Sequence, residues 1–212
     1  MSRRTLFLIV LLLASCTERE KKSDHGKSII TYRPDSTALK LNNRAVQLIG
    51  DAAHTYDTLK EALYDSAITY LSQAIEIDSL YLLAYTNKAQ ALQRKGSLEE
   101  ALEVLNQVEI IKPDFAEVLM GQGFLLEKMG KKELAEQEYW KAFEVYSKRL
   151  ENDPENDKVQ SDIAFVYIFL EDKDKAIGEI QSFILENPES EDLKMMEGLI
   201  KDFDRKKFIE RY

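Results

Sequence analysis

The chain of 212 residues contains one cysteine, two histidines, four prolines and eight glycines. Its single thiol, Cys16, has no second cysteine to pair with, so no internal disulfide can brace the fold. His25 and His54 stand in unrelated stretches without spaced Cys, Asp or Glu to complete a ligand set, and no metal site is expected. Basic charge is scarce too, with 29 Lys and Arg against 38 Asp and Glu. A nucleic-acid binder neutralises phosphates with clustered cations, so no such partner is expected. The only dense basic cluster, Arg205-Lys206-Lys207 with Arg211, reads as a favourable helix end where cations meet the macrodipole. Nucleophile elbows, phosphate loops and dinucleotide fingerprints are missing; Gly121-Gln122-Gly123 lacks the third glycine and follows no strand. No catalytic residue, cofactor or small-molecule substrate is expected.

One apolar run stands out, Leu6 to Leu13, and it is shorter than the roughly 20 residues a bilayer span requires. Arg3 and Arg4 precede it and Ala14-Ser15-Cys16 ends it, which is the layout of a secretory signal. Leu13-Ala14-Ser15-Cys16 resembles the lipobox of bacterial lipoproteins, in which the cysteine becomes the lipidated first residue. That resemblance implies a signal peptide over 1–15, lipidation at Cys16, and a membrane partner reached through the lipid anchor. Thr17 is not the Asp that retains some lipoproteins at the inner membrane, so an outer-membrane location on the periplasmic side is the expectation, with the cell surface as the other option. Removing 1–15 takes away two arginines and no acid, leaving 27 basic and 38 acidic side chains. Residues 16–36 are polar and charged and read as a tether, with a flexible reach of roughly 25 Å.

Beyond the tether, Ala, Leu, Glu and Lys abound and apolar residues return at helical spacing, so the rest should be nearly all helix in one domain around one continuous core. The chain also repeats itself. Ala67, Ala101 and Ala135 lie 34 residues apart, and each is followed after seven residues by Ala74, Val108 or Ala142. Twelve residues before Ala101 and Ala135 come Ala89 and Gly123, flanked by Tyr85 and Leu92 or by Leu119 and Leu126. This pattern resembles the tetratricopeptide repeat, a helix-turn-helix unit of 34 residues with small side chains where its two helices touch. Residues 82–115 and 116–149 fit it best. The resemblance implies an all-α, right-handed solenoid of helical hairpins in about four units, with Ala45, Ala67, Ala89, Ala101, Gly123, Ala135, Ala164 and Ala176 as its small positions.

Local signals agree: Gly96 suits a helix C-terminus, Ser97 with Glu100 and Asp114 with Glu117 suit N-terminal capping pairs. Two spacings depart from the repeat. Ala176 follows Ala135 by 41 residues, an excess of seven that two extra turns in the third unit's second helix would absorb, from about Glu133 to Asn152. Ala45 precedes Ala67 by 22 residues instead of twelve, so about ten extra residues around Gly50 to Asp57 must extend the first hairpin. The expected array therefore spans 37–188, in units of about 38–81, 82–115, 116–156 and 157–188. Residues 189–212 read as one capping helix with Asn187 as its N-cap and Pro188 at its first position.

In such arrays the first helix of each hairpin lines a concave groove. The resemblance places Asn42, Thr86, Gln90, Arg94, Met120, Phe124, Ser161, Phe165 and Phe169 on that wall as candidate contacts for a protein or peptide partner. Phe124, Phe165 and Phe169 could equally be core residues, or lie under the C-terminal helix. Basic residues that grip a partner's terminal carboxylate in one subtype are missing here, which disfavours a chaperone-tail receptor. The expected function is a membrane-anchored interaction scaffold of the bacterial envelope; the alternative is a structural subunit that assembles through its outer helix faces.

Overall fold

The computed structural model describes residues 32–56 and 58–212, which form ten α-helices and no strand among the described residues. The expected signal peptide over 1–15, Cys16 and nearly all of the expected tether lie outside the described residues. The helices are α1 Ser36–Ala52, α2 Thr58–Ile77, α3 Leu82–Lys95, α4 Leu98–Ile111, α5 Ala116–Lys128, α6 Lys132–Asn152, α7 Asp157–Leu170, α8 Lys173–Glu186, α9 Glu191–Lys201 and α10 Arg205–Arg211. Packing divides the chain into two compact units, one ending at Ile111 and the other running from Lys112 to Tyr212. Each hairpin buries its face mainly against its sequence neighbours, so no one centre is required.

In the first unit α1 pairs with α2, α3 pairs with α4, and α2 packs on α3. Asp35 starts α1 by accepting the amides of Thr37 at 2.7 Å and Ala38 at 3.2 Å, which satisfies two N–H groups that have no intrahelical partner. Ala38, Ala45, Leu48, Tyr64, Ala67, Leu71 and Ala74 form its core. The ten extra residues are spread over long α1 and α2 helices and the short connection between them.

The second unit repeats the plan with α5 against α6, α7 against α8, and α6 against α7. Gly96 and Gly130, 34 residues apart, carry φ of 95° and 77° and end α3 and the turn after α5 in the same way. In each case the next amide returns to a carbonyl five residues back, Ser97 to Leu92 and Lys131 to Leu126, both at 2.9 Å. All eight small repeat positions are buried. Gly123 shows why size matters there: a Cβ at that position would lie 2.2 Å from Cε1 of Tyr139 on α6. The seven-residue excess is carried by α6, which has 21 residues.

Two local expectations are corrected. Phe115, not Asp114, holds the cap position of α5 and makes no side-chain cap bond. Glu117 is instead engaged by Arg149, whose guanidinium lies 2.9 Å from its carboxylate and also donates to the Asp114 carbonyl at 2.8 Å. After α8 the chain forms two helices and not one. Asn187 closes α8 and turns its amide to Asp157 at 3.0 Å, while Ser190 donates to the same carboxylate and caps α9 by accepting from Leu193. The break at 202–204 follows from a second cap: Asp204 accepts the Lys207 amide at 3.0 Å and starts α10, and Phe203 between the helices is buried.

Candidate protein-binding faces

The first unit presents a polar seam between the first helices of its two hairpins. Asn87 on α3 donates to the side-chain oxygen of Asn42 on α1 at 2.8 Å, and Asn42 is buried. Around this pair, Thr86 and Gln90 are half-buried and Arg94 is exposed. Two apolar side chains on α1, Leu39 and Val46, remain 40% and 46% exposed. Positions 83, 86, 90 and 94 follow helical spacing along α3, so they share one face. The surface offers hydrogen-bonding groups beside modest apolar area, a composition that suits an extended or helical protein segment better than a small molecule.

The corresponding face of the second unit is occupied. Helix α10 lies against α5, and its side chains enter an aromatic cluster built from α5, α6 and α7. Phe208 stands edge-on to Phe124 at 5.0 Å between centroids, and Tyr212 meets the same ring at 4.8 Å. Phe169 packs on Phe124 at 4.9 Å, and Phe165 reaches Phe203 at 5.4 Å. Arg205 fixes the helix at its other end. Its Nε and one terminal nitrogen reach the two oxygens of Glu127 at 2.9 and 3.0 Å, and the remaining nitrogen donates to the carbonyls of Ile168 and Phe169 at 3.2 Å. The guanidinium also covers the Phe169 ring, 5.1 Å from its centroid. A bidentate pair adds direction to attraction, and the C-terminal carbonyls of α7 form a negative helix end that favours a cation.

Glu127 receives a further bond from the Tyr139 hydroxyl at 2.8 Å. Burial, with the adjacent Glu127 charge, holds that phenol far above its ordinary pKa, so it stays a donor. On the same unit Asp162 is buried and paired with Lys158 at 2.8 Å; burial pushes its carboxyl up to about 6 against the pull of Lys158.

The nine groove candidates thus separate. Thr86, Gln90 and Arg94 reach the surface, and Phe165 is half-buried. Asn42, Met120, Phe124, Ser161 and Phe169 are buried and cannot be primary contacts while this packing persists. For Phe124 the cause is α10, which supplies the rings that cover it. Arg205, Phe208 and Tyr212 belong to the site although they lie outside the repeat; their spacing of three and then four residues, which puts them on one helical face, is the signal the sequence carries for them. The basic cluster is also corrected: Arg205, Lys206 and Lys207 begin α10 instead of ending a helix, Lys207 pairs with Asp204 at 2.7 Å, and Arg205 serves the C-terminus of α7. Among the described residues no group of His, Cys, Asp and Glu is placed to hold a metal ion, and no helix is long and apolar enough to cross a membrane.

Residues 58–123 match the family model described as "Tetratricopeptide repeat". No curated protein matches the chain. Among solved structures, the chain is similar to the Sgt2 TPR domain from Aspergillus fumigatus at 18% identity, over 67% of this chain and 84% of that one, with a TM-score of 0.48. It is also similar to a thermophilic TPR protein of Thermus thermophilus at 17% identity, covering 78% of this chain and all (100%) of that chain, with a TM-score of 0.46. The MamA protein is similar at 15% identity, over 77% and 80% of the two chains, with a TM-score of 0.45.

Proposed function

We propose that this protein is a membrane-anchored interaction scaffold of the bacterial envelope, held by a lipid on Cys16 and binding a segment of another protein along the α1–α3 face. The observation that carries the reading is the contrast between the two units. In the first unit Thr86 and Gln90 beside the Asn42–Asn87 seam are half-buried and Arg94 is exposed, whereas the matching face of the second unit is filled by α10. Tetratricopeptide repeats are interaction modules, and the matched stretch contains α3 and its groove-facing side chains. The lipobox-like Leu13-Ala14-Ser15-Cys16 supports the anchor and, with Thr17 after it, an outer-membrane location facing the periplasm.

Photocrosslinkers placed singly in cells test this. Probes at Val46 and Gln90 should capture the same partner, and probes at Glu103 and Glu136 on second helices of their hairpins should not. Equal capture from all four positions would remove the groove reading. A second reading has its own support: Leu134, Trp140 and Leu185 on α6 and α8 are exposed apolar side chains, as an assembly surface on outer helix faces would require. Light scattering on the purified chain separates the two, since self-assembly through those faces predicts an oligomer that Trp140→Glu dissolves.

A further inference from the structure

Helix α10 has seven residues, too few to be stable alone, since isolated helices below about 12–15 residues are marginal in water. Its order therefore comes from what it touches. Its charged and ring contacts fall on one face and at three points, with Ile209 buried beside them: Arg205 on Glu127 and the α7 carbonyls, Phe208 among Phe124, Phe165, Phe169 and Phe203, and Tyr212 on Phe124. The helix is joined to α9 only by the short break 202–204, which carries its own cap at Asp204. Every anchor is thus a side-chain contact that a separate helix could reproduce.

We propose that α10 is an internal ligand of the second unit's groove, and that the groove exchanges it for a helix of another protein carrying Arg, then an aromatic residue three positions on, then a second aromatic four positions after that. This rests on the reading that the faces of the first helices receive protein segments. The partner's chemistry is read from the pocket. Glu127 with the Ile168 and Phe169 carbonyls requires a planar cation with several donors, which Arg provides and Lys does not. Phe124, Phe165 and Phe169 meet the α10 ring of Phe208 largely edge-on, so a partner helix with rings at the same places competes for the same cover. Tethering keeps α10 at an effective concentration on the order of millimolar. The groove is consequently closed to weak or unrelated helices and opens to a partner that matches all three anchors.

The test uses the full chain and a fluorescent peptide with the sequence of residues 201–212. A chain carrying Arg205→Ala, Phe208→Ala and Tyr212→Ala, whose groove is intact but whose internal helix is disabled, should bind the peptide saturably at micromolar concentrations. The wild-type chain should bind it at least 100-fold more weakly, and a peptide with the same three alanines should bind neither. A second chain, Arg205→Ala alone, retains the aromatic cover and should bind at least tenfold more tightly than wild type. Absence of saturable binding by either folded variant, or equal binding by variant and wild type, overturns the proposal. Loss of cooperative melting in both variants overturns it as well, because an exchangeable helix must leave a folded unit behind. A wild-type dimer that trades α10 between copies would assign the groove to a second copy and overturn the partner proposed. Since capture at Val46 and Gln90 reports on the first unit, the scaffold reading can survive failure of this inference.

Discussion

Substituting Gly123 by alanine perturbs the helix contact on which the second unit is built. Two effects oppose each other. Alanine in a helix interior is favoured over glycine by about 0.8–1 kcal/mol, but the added Cβ would meet three ring atoms of Tyr139 at 2.2 to 2.9 Å. Tyr139 cannot yield cheaply: its ring is fully buried, lies 5.8 Å from Phe124 and 5.0 Å from Phe169, and its hydroxyl donates to Glu127. Overpacking costs about 1–3 kcal/mol, and displacing a hydrogen bond to a charged group about 1.5–3 kcal/mol more. The steric side wins, leaving a net loss of about 1.5–5 kcal/mol. Gly178 supplies the control, because it lies exposed in α8 with nothing within 4 Å of its Cβ site. Thermal or urea melting should show Gly123→Ala destabilised and Gly178→Ala stabilised by about 0.5–1 kcal/mol. Combining Gly123→Ala with Tyr139→Leu should show strong coupling, since leucine lacks the clashing ring carbons. If Gly123→Ala melts at or above the wild-type temperature, the close approach of α5 and α6 is wrong.

Asp162 gives a pH signature. Its folded pKa of about 6 exceeds the usual unfolded value near 3.9, so the folded state holds the proton more tightly and stability falls as pH rises through that window. Asp162→Asn cannot ionise, so its stability relative to wild type should improve by roughly 2 kcal/mol between pH 4.5 and 7.5; a pH-independent difference would refute this. Ala101→Leu places three heavy atoms at a fully buried position and should cost about 1–3 kcal/mol in melting experiments. Gly130→Val, at φ 77°, should lower the melting temperature, although no side chain stands within 4 Å of the new Cβ. Cys16→Ala should abolish labelling by a fatty-acid probe, and unchanged labelling would remove the lipid anchor from the account.

Much of the hairpin geometry was legible because the repeat encodes it twice, in spacing and in residue size. The 34-residue interval between Gly96 and Gly130 reappears as two identical helix ends, and the 41-residue interval between Ala135 and Ala176 reappears as two added turns in α6. The C-terminus was less legible, for a physical reason. Its residues have no repeat to align with, so a run from Glu189 to Tyr212 with helical periodicity concealed a cap at Asp204 that divides it. From the sequence, Phe124 and Phe169 can be either groove contacts or rings covered by the C-terminal helix, because their repeat positions specify which way they point and not what is laid over them. In the sequence Arg205 is one of a run of basic residues that suits a helix end, and only the three-dimensional arrangement joins it to Glu127, 78 residues away.

The central claim is that the α1–α3 face is the binding surface, and the affinity of the captured partner segment for groove variants tests it most directly. Val46→Glu and Gln90→Arg alter side chains that are exposed or half-buried, so each should leave the unfolding free energy within about 0.5 kcal/mol of wild type. Isothermal titration with the crosslinked segment should show each variant weakened at least tenfold, which corresponds to about 1.4 kcal/mol or more. Wild-type affinity in both folded variants would contradict the account and move the interface to the outer faces of α6 and α8.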